Sequence, residues 1–225
     1  STTDRTMDQT VGWLEIPAGE LRTTTNNAFG KVTFTPKENH TLSLSGSQDR
    51  SLQQSGGIGV PATYAATTYD NEIFRLNYAG ILGPNGFVTG AAGQNRRDNA
   101  TAPQSGDYGT PSYFWQDIAQ RTNNIRRGLT EAERRTDVSL GGNWARDAGR
   151  RGRHEVKAGV SWYDASYRSD NRWTGWSFDP WPGNGVDDGS EITWVTPGVP
   201  LQLMEYKSGQ TENSTRGFGF YLQET

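Results

Sequence analysis

The chain has 225 residues, of which 32% are hydrophobic, and a formal net charge of −3, so it can form one large domain or two small ones. The small net charge does not favour a nucleic-acid partner. The absence of cysteine excludes disulfides, thiol chemistry and thiolate metal sites. No stretch approaches 18 apolar residues, which excludes a transmembrane helix.

Period-2 alternation of apolar and polar residues runs through the chain and predicts β-strands with two unlike faces. The N-terminal stretch 11–16 is either an additional strand or part of a loop. Residues 112–123 could form a short helix inside a loop. The eight strand candidates are 29–36, 40–50, 72–82, 86–97, 135–146, 153–165, 199–208 and 215–224.

Short turns and long polar connections alternate between these strands. The short turns contain Gly, Pro and Asn, which suit tight turns, and they lie at 36–39 and 83–86 and near 147–150 and 208–211. The long connections are 51–71, 98–134 and 166–198. Short turns at one end and long loops at the other are typical of outer-membrane β-barrels, in which the turns are periplasmic and the loops are outside the cell.

The alternation also predicts which side chains share a face. One face is expected to be polar and exposed to water in the barrel lumen. Its residues are Lys31, Thr33, Ser43, Ser45, Arg75, Asn77, Asn143, Lys157 and Ser161. The residues expected to contact lipid are Val32, Phe34, Leu42, Leu44, Phe74, Leu76, Tyr78, Val138, Leu140, Trp144, Val156, Val160, Trp162, Phe218, Phe220 and Leu222.

Four segments resemble strands and hairpins of TonB-dependent outer-membrane receptors, most closely the branch with a carboxypeptidase-regulatory-like N-terminal extension. They are Phe29–Ser45, Asn71–Asn85, Gly152–Val160 and Gly217–Gln223. The resemblance implies a 22-stranded barrel in the outer membrane of a Gram-negative bacterium. It also implies an N-terminal plug domain and ligand import with energy passed through TonB.

The predicted fold is therefore all-β: an antiparallel transmembrane β-barrel of which residues 1–225 supply about eight strands, as one partial barrel domain without a plug. The expected partners are outer-membrane lipid, the remaining barrel and plug of the same protein, TonB-type energy coupling through that plug, and an unknown small ligand or oligosaccharide. Two alternatives stay open. One is a complete eight-stranded outer-membrane barrel with a structural or adhesive role, and the other is a soluble, secreted β-sandwich that binds carbohydrate.

A loop rich in tryptophan, glycine and proline is the candidate ligand-binding segment. Exposed aromatic rings in such a frame can stack on sugars or apolar ligands, although they could equally pack the loop or anchor it at the membrane interface. The candidate ligand-binding residues are Trp173, Trp176, Phe178, Trp181 and Trp194.

Acidic residues of the same loop are weak candidates for calcium ligands, because calcium prefers oxygen donors. Their spacing does not match a calcium-loop pattern, so solvated loop acids are the simpler interpretation. The residues are Asp179, Asp187, Asp188 and Glu191.

Catalytic motifs are absent from the sequence. The two histidines, His40 and His154, do not form a His-Glu-x-x-His pattern, and there is no Gly-x-Ser-x-Gly motif. We expect a protein that is not an enzyme and requires no cofactor.

Overall fold

A computed structural model describes residues 2–11, 14–55, 63–147, 149, 152–175 and 189–224. These residues form twelve β-strands. The strands are β1 (Thr2–Val11), β2 (Leu14–Lys37), β3 (His40–Ser55), β4 (Ala65–Leu82), β5 (Gly86–Pro103), β6 (Ser112–Trp115), β7 (Gln120–Thr122), β8 (Arg127–Asp147), β9 (Arg153–Trp173), β10 (Gly189–Thr196), β11 (Val199–Tyr206) and β12 (Gly209–Glu224).

Eight strands form one large sheet in the order β1-β2-β3-β4-β5-β8-β9-β12, and every neighbouring pair is antiparallel. The connections β2–β3, β4–β5 and β8–β9 are tight and lie at one end of the sheet, here called the turn end. The connections β3–β4, β5–β8 and β9–β12 are longer and lie at the opposite end, here called the loop end. The predicted antiparallel all-β fold is confirmed.

The remaining four strands form a small sheet in the order β11-β10-β6-β7, built from the two longest connections at the loop end. β6 and β7 come from the β5–β8 connection, whereas β10 and β11 come from the β9–β12 connection. β10 pairs with β6 in parallel, so the small sheet joins two separate loops into one unit.

Several strands of the large sheet extend further toward the loop end than predicted. β8 begins at Arg127 rather than 135, and β9 continues to Trp173 rather than 165. These extensions are polar on both faces, so alternation does not reveal them. Polar side chains pair across the strands instead; for example, Tyr167 donates a hydrogen bond to Glu131 at 2.8 Å.

Two other predictions are wrong. Residues 112–123 form β6 and β7 rather than a helix, since Tyr113, Phe114 and Trp115 favour a strand. The segment predicted as strand 199–208 does form β11, but β11 pairs with β10 and not with the last strand. β12 pairs with β9 instead, so the segment 208–211 does not make a hairpin. The stretch 11–16 covers the end of β1 and the beginning of β2.

The large sheet is open, with β1 and β12 at its two edges. The contact between first and last strands that a complete eight-stranded barrel requires is absent from the described part of the chain. Buried apolar side chains are also few among the described residues: Tyr64, Ile125 and Ala145. The described residues contain no helix with the length and apolar character needed to cross a membrane.

Candidate functional site

One face of the large sheet carries a continuous apolar surface, here called the apolar band. Cross-strand register places the predicted lipid-facing residues on this one face, which confirms that they share it. One row across seven strands is Phe34, Leu42, Tyr78, Gly90, Leu140, Val160 and Phe220. The next row is Val32, Leu44, Leu76, Ala92, Val138, Trp162 and Phe218.

The band is exposed rather than covered. Phe74, Val138, Val160 and Phe220 are 52%, 45%, 45% and 80% exposed. In a β-sandwich these side chains would be sealed between two sheets. Their exposure therefore argues against the carbohydrate-binding sandwich and leaves an apolar surface far larger than water-soluble monomers present.

The height of the band matches a bilayer. On β4 its side chains run from Phe74 to Leu82, a stretch of nine residues, and a tilted strand needs about 9–11 residues to cross the hydrocarbon layer. On the same face of β4, the next two side chains toward the loop end are the charged Glu72 and Asp70.

The charged residues directly above the band pair with one another along and across the strands and are here called the charged border. Arg50 contacts Asp70 at 2.9 Å. Asp98 accepts hydrogen bonds from Arg96 at 2.9 Å and from Arg134 at 2.7 Å. Partial burial opposes ionisation of Asp98, but the hydrogen bonds and charges of Arg134 and Arg96 outweigh it and lower the pKa of this carboxyl below its usual value.

The opposite face is polar, as predicted. Register puts Lys31, Ser45 and Arg75 in one row that continues to Asp137, and Thr33, Ser43, Asn77, Ser139 and Ser161 in the next row. Toward the turn end, Asn143 lies opposite Lys157 on the same face, and Asn143 donates to Glu155 at 2.7 Å.

At the loop end, Trp173 belongs to a stack of aromatic rings and an arginine. Its ring lies parallel to that of Tyr206, with centroids 4.1 Å apart. The Arg126 guanidinium lies 5.0 Å from the Trp173 ring and 4.6 Å from the Tyr206 ring, and it donates a hydrogen bond to the Tyr206 hydroxyl at 2.7 Å. Such cation–π contacts stabilise the position at which β9 and β11 end.

Trp194 belongs to a second aromatic cluster, within the small sheet. Its ring stacks on Trp115, with centroids 5.5 Å apart, and meets Tyr113 edge-on at 5.9 Å. The Trp194 indole nitrogen is buried, and no described residue accepts its hydrogen bond. Next to this cluster, β11 exposes about half of the side chains of Val199, Leu201 and Leu203.

Glu191 lies buried within the small sheet, where it is only 2% exposed. Its carboxylate accepts hydrogen bonds from Arg121 at 3.0 Å and from Ser112 at 3.4 Å, and it lies 3.8 Å from Nε of Arg126. These contacts connect the small sheet to the arginine of the Trp173 stack. Within the described ranges, no three His, Asp or Glu side chains gather in an arrangement that could hold a metal ion.

Thr174 fixes the small sheet to the large one. Its buried hydroxyl donates to the carbonyl of Ile125 at 2.6 Å, and its carbonyl accepts from the amide of Ser190 at 2.9 Å. Gly175 follows with a φ of +99° and approaches Ser190 too closely for a side chain. These contacts fix the end of β9 against the beginning of β10.

The loop before β6 is ordered by Asp107. A hydrogen bond from the Thr110 side chain and further bonds from the amides of Gly109 and Thr110 lower the pKa of the Asp107 carboxyl. Nearby, burial raises the pKa of Tyr108, whose ring lies 4.1 Å from the Arg172 guanidinium.

The sequence-predicted site is only partly described. Trp173 and Trp194 lie in two different aromatic clusters, and Glu191 pairs with arginine. The sequence analysis missed Arg126, Tyr113 and Trp115; the run of aromatic residues after Ser112 was the available signal for the last two. The other predicted site residues fall outside the described residues: Trp176, Phe178, Trp181, Asp179, Asp187 and Asp188.

Comparison with known proteins gives a structural match. No family model and no curated protein matches this sequence. The outer membrane transporter YddB from Escherichia coli has a similar solved structure, with a TM-score of 0.69 and 11% sequence identity. The match covers 99% of this chain and 28% of the transporter chain. At that identity the likeness shows the fold alone, and this fold is that of part of an outer-membrane transporter barrel.

Proposed function

We propose that this chain forms part of the wall of a TonB-dependent-type receptor and transporter in the outer membrane of a Gram-negative bacterium. The observation that carries the proposal is the apolar band: one face of seven paired strands is apolar over the thickness of a bilayer and charged directly above it. Backbone groups in lipid must all be hydrogen-bonded, so strands that cross a membrane close into a barrel.

The open edges support a larger barrel. β12 presents Phe218, Phe220 and Leu222 with 70–80% exposure and has a strand partner on one side only among the described strands. Further strands of the same protein would pair with this edge and with β1. The polar face would then line a lumen occupied by a plug domain, which would receive energy through TonB.

The loop end is the proposed region for ligand contact. It holds the aromatic rings of Trp173 and Trp194 and a buried network of arginine and glutamate that fixes the surrounding strands. We assign binding and passage of a small ligand or oligosaccharide to this protein, and no catalytic step.

Membrane location is the first test. The full-length protein, produced from its own gene with an epitope tag, should sediment with the outer membrane on a density gradient and resist extraction with urea. It should also migrate differently on a denaturing gel with and without boiling, as folded outer-membrane barrels do. Recovery in the soluble fraction without detergent would contradict the proposal.

Uptake is the second test. Cells with and without the gene receive a mixture of labelled oligosaccharides, in the presence and absence of an agent that dissipates the proton-motive force. We expect uptake that requires both the gene and the proton-motive force. Uptake that needs the gene but not the force would support a passive pore and contradict TonB coupling.

A further inference from the structure

We propose that the apolar face carries a binding site for a phosphorylated glycolipid, placed across the boundary between the apolar band and the charged border. The acyl chains would lie against the band, and the phosphorylated sugar head would lie on the border. This inference rests on the membrane location proposed above, and it assigns a specific lipid contact to a surface that otherwise would only face bulk lipid.

The lower part of the site is a notch made by two glycines. Gly30 and Gly46 lie opposite each other on β2 and β3, and Phe74 lies opposite Gly46 on β4. Because neither glycine has a side chain, a cavity of about 800 Å³ opens beside the Phe74 ring. A Cβ atom built at Gly30 would meet nothing within 4 Å. Such an apolar recess suits an acyl chain.

The upper edge of this cavity is charged. Arg96 and Arg134 line it together with Glu72, so arginines outnumber carboxylates two to one. An anionic group placed at this edge meets positive charge at the level where lipid hydrocarbon ends.

A second cavity, of about 740 Å³, continues from Arg96 toward the loop end. Its charged lining consists of Arg22, Arg50 and Arg96 against Asp70 and Asp98. Because Arg96 lines both cavities, the two together hold four arginines and three carboxylates. Hydroxyl and amide groups, including those of Thr24, Asn26 and Thr68, also line it, together with the apolar side chains of Leu52 and Ala100.

Arg96 lies between the two cavities and is held in place. Its Nε donates to Asp98 at 2.9 Å, and Arg134 clamps the same carboxylate with bonds of 2.7 and 3.1 Å. The Arg96 side chain is still 55% exposed, and within the described part of the chain only its Nε makes a hydrogen bond. A fixed, exposed guanidinium with two open nitrogens is the geometry that binds phosphate.

The size of the polar part favours a sugar head over a simple phospholipid head. On β2 the lining extends from the row of Arg96, which contains Ala28, to Arg22, six residues or about 20 Å along the strand at 3.3 Å per residue. A bis-phosphorylated disaccharide reaches further along such a lining than a glycerophosphate does.

The test measures lipid binding to the purified full-length protein in detergent. The probes are bis-phosphorylated lipid A, the same lipid without its phosphates, and phosphatidylglycerol. We expect tightest binding of the bis-phosphorylated glycolipid. Equal affinity for all three probes, or preference for phosphatidylglycerol, would overturn the proposal.

Two variants address the two halves of the site. Arg96→Gln removes the phosphate contact, and Gly46→Leu fills the notch, where a Cβ meets only Phe74 and the Ile73 carbonyl at ordinary distances of 3.7 and 3.8 Å. Each should weaken binding of the glycolipid about tenfold, because Arg96→Gln removes one charge-assisted contact and Gly46→Leu closes the recess for the acyl chain. Unchanged affinity in both variants would overturn the site.

Matched controls separate this site from general effects. Arg97→Gln changes the neighbouring arginine on the polar face, and Gly90→Leu adds the same side chain to the apolar band away from the notch. Both controls should bind within twofold of the unmodified protein. All variants are checked for outer-membrane sedimentation: failure there would contradict the proposed function, whereas normal sedimentation with unchanged lipid affinity would contradict only the lipid site.

Discussion

Glycine and aromatic residues form complementary pairs in the large sheet. Tyr221 lies over Gly159, and Tyr163 lies over Gly217, on the polar face of β9 and β12. A side chain at either glycine would overlap the ring. The glycines therefore provide space for large rings to lie flat across neighbouring strands, which stabilises curved sheets.

This pairing predicts the outcome of a double-mutant cycle at Gly159 and Tyr221. Gly159→Ala should destabilise the folded protein by about 1–3 kcal/mol, because the added methyl group clashes with the ring. In a Tyr221→Ala background the same change should cost much less, since the space is then free. The free energy of unfolding, measured by urea titration in lipid vesicles, gives the coupling.

Gly30→Ala is the matched control for this cycle, because a Cβ at Gly30 meets nothing within 4 Å. It should leave the free energy of unfolding within about 0.5 kcal/mol of the unmodified protein. Equal destabilisation by Gly159→Ala with and without the Tyr221 ring would show that the ring is not the cause.

At the scale of the element, the strands have two chemically different halves. Near the turn end they alternate between apolar and polar faces, whereas near the loop end both faces are polar. The halves near the loop end are held by cross-strand polar pairs, such as the clamp of Arg96 and Arg134 on Asp98. Stability of these halves therefore depends on charge.

Asp98 predicts how the stability of these halves changes with pH. Its pKa is lowered in the folded state, so its contribution to stability is fully present above the pKa of an unfolded aspartate, about 3.9. That contribution is lost as the pH falls through the lowered folded-state value. Hydrogen exchange in the halves of β5 and β8 near the loop end, corrected for the intrinsic pH dependence of amide exchange, should therefore stay slow from pH 7 to about pH 5 and accelerate only below about pH 4.

Asp98→Asn is the variant that checks this cause, because it removes the titrating group while keeping its shape. Its hydrogen exchange should lose the acid-dependent acceleration in β5 and β8. Glu133→Gln is the control, since the one ion pair of the Glu133 carboxylate among the described residues is a long, exposed contact of 3.7 Å with Arg97. If Asp98→Asn keeps the full acceleration of hydrogen exchange at low pH, other carboxylates are its cause.

The same two halves explain what could be predicted from the sequence. Val138, Leu140 and Trp144 alternate with polar residues, so alternation predicted both the strand and its faces. Residues 127–134 lack that contrast, so the first part of β8 was not foreseen. β11 was recognised as a strand, but its partner was not, because alternation carries no information about which strand lies beside it.

The candidate site was even less accessible to prediction. The stack of Arg126 on Trp173 and Tyr206 joins residues about 30 to 80 positions apart, and the pairing of Arg121 with Glu191 joins two different loops. Only the parallel pairing of β10 with β6 brings these loops together. Such long-range contacts depend on topology, which is not encoded in the local sequence pattern.

For the whole molecule, the asymmetry between the two faces is the central property. One face presents a band of exposed aliphatic and aromatic side chains, and the other presents lysine, arginine, serine and asparagine. Every strand that crosses the band also contributes to the polar face. A shift of one position along a strand therefore moves a side chain from the apolar face to the polar face.

Leu140 and Ser139 make this prediction concrete, because they are adjacent on β8 and lie on opposite faces. Leu140→Arg places a charge near the middle of the band and should cost about 2–4 kcal/mol of folding free energy in vesicles. Ser139→Arg, on the polar face, should cost less than about 1 kcal/mol. Equal costs at the two positions, measured by urea titration, would contradict the assignment of the faces.

The length of β9 has a consequence for Trp173. From Asp164, at the upper margin of the band, to Trp173 the strand continues for nine residues, which is about 30 Å along the strand and about 20 Å along the membrane normal at a tilt near 40°. The polar headgroup layer of one leaflet is only about 5–8 Å thick. In the proposed outer-membrane barrel, Trp173 would therefore stand well clear of the bilayer, beyond the depth at which an interfacial anchor acts.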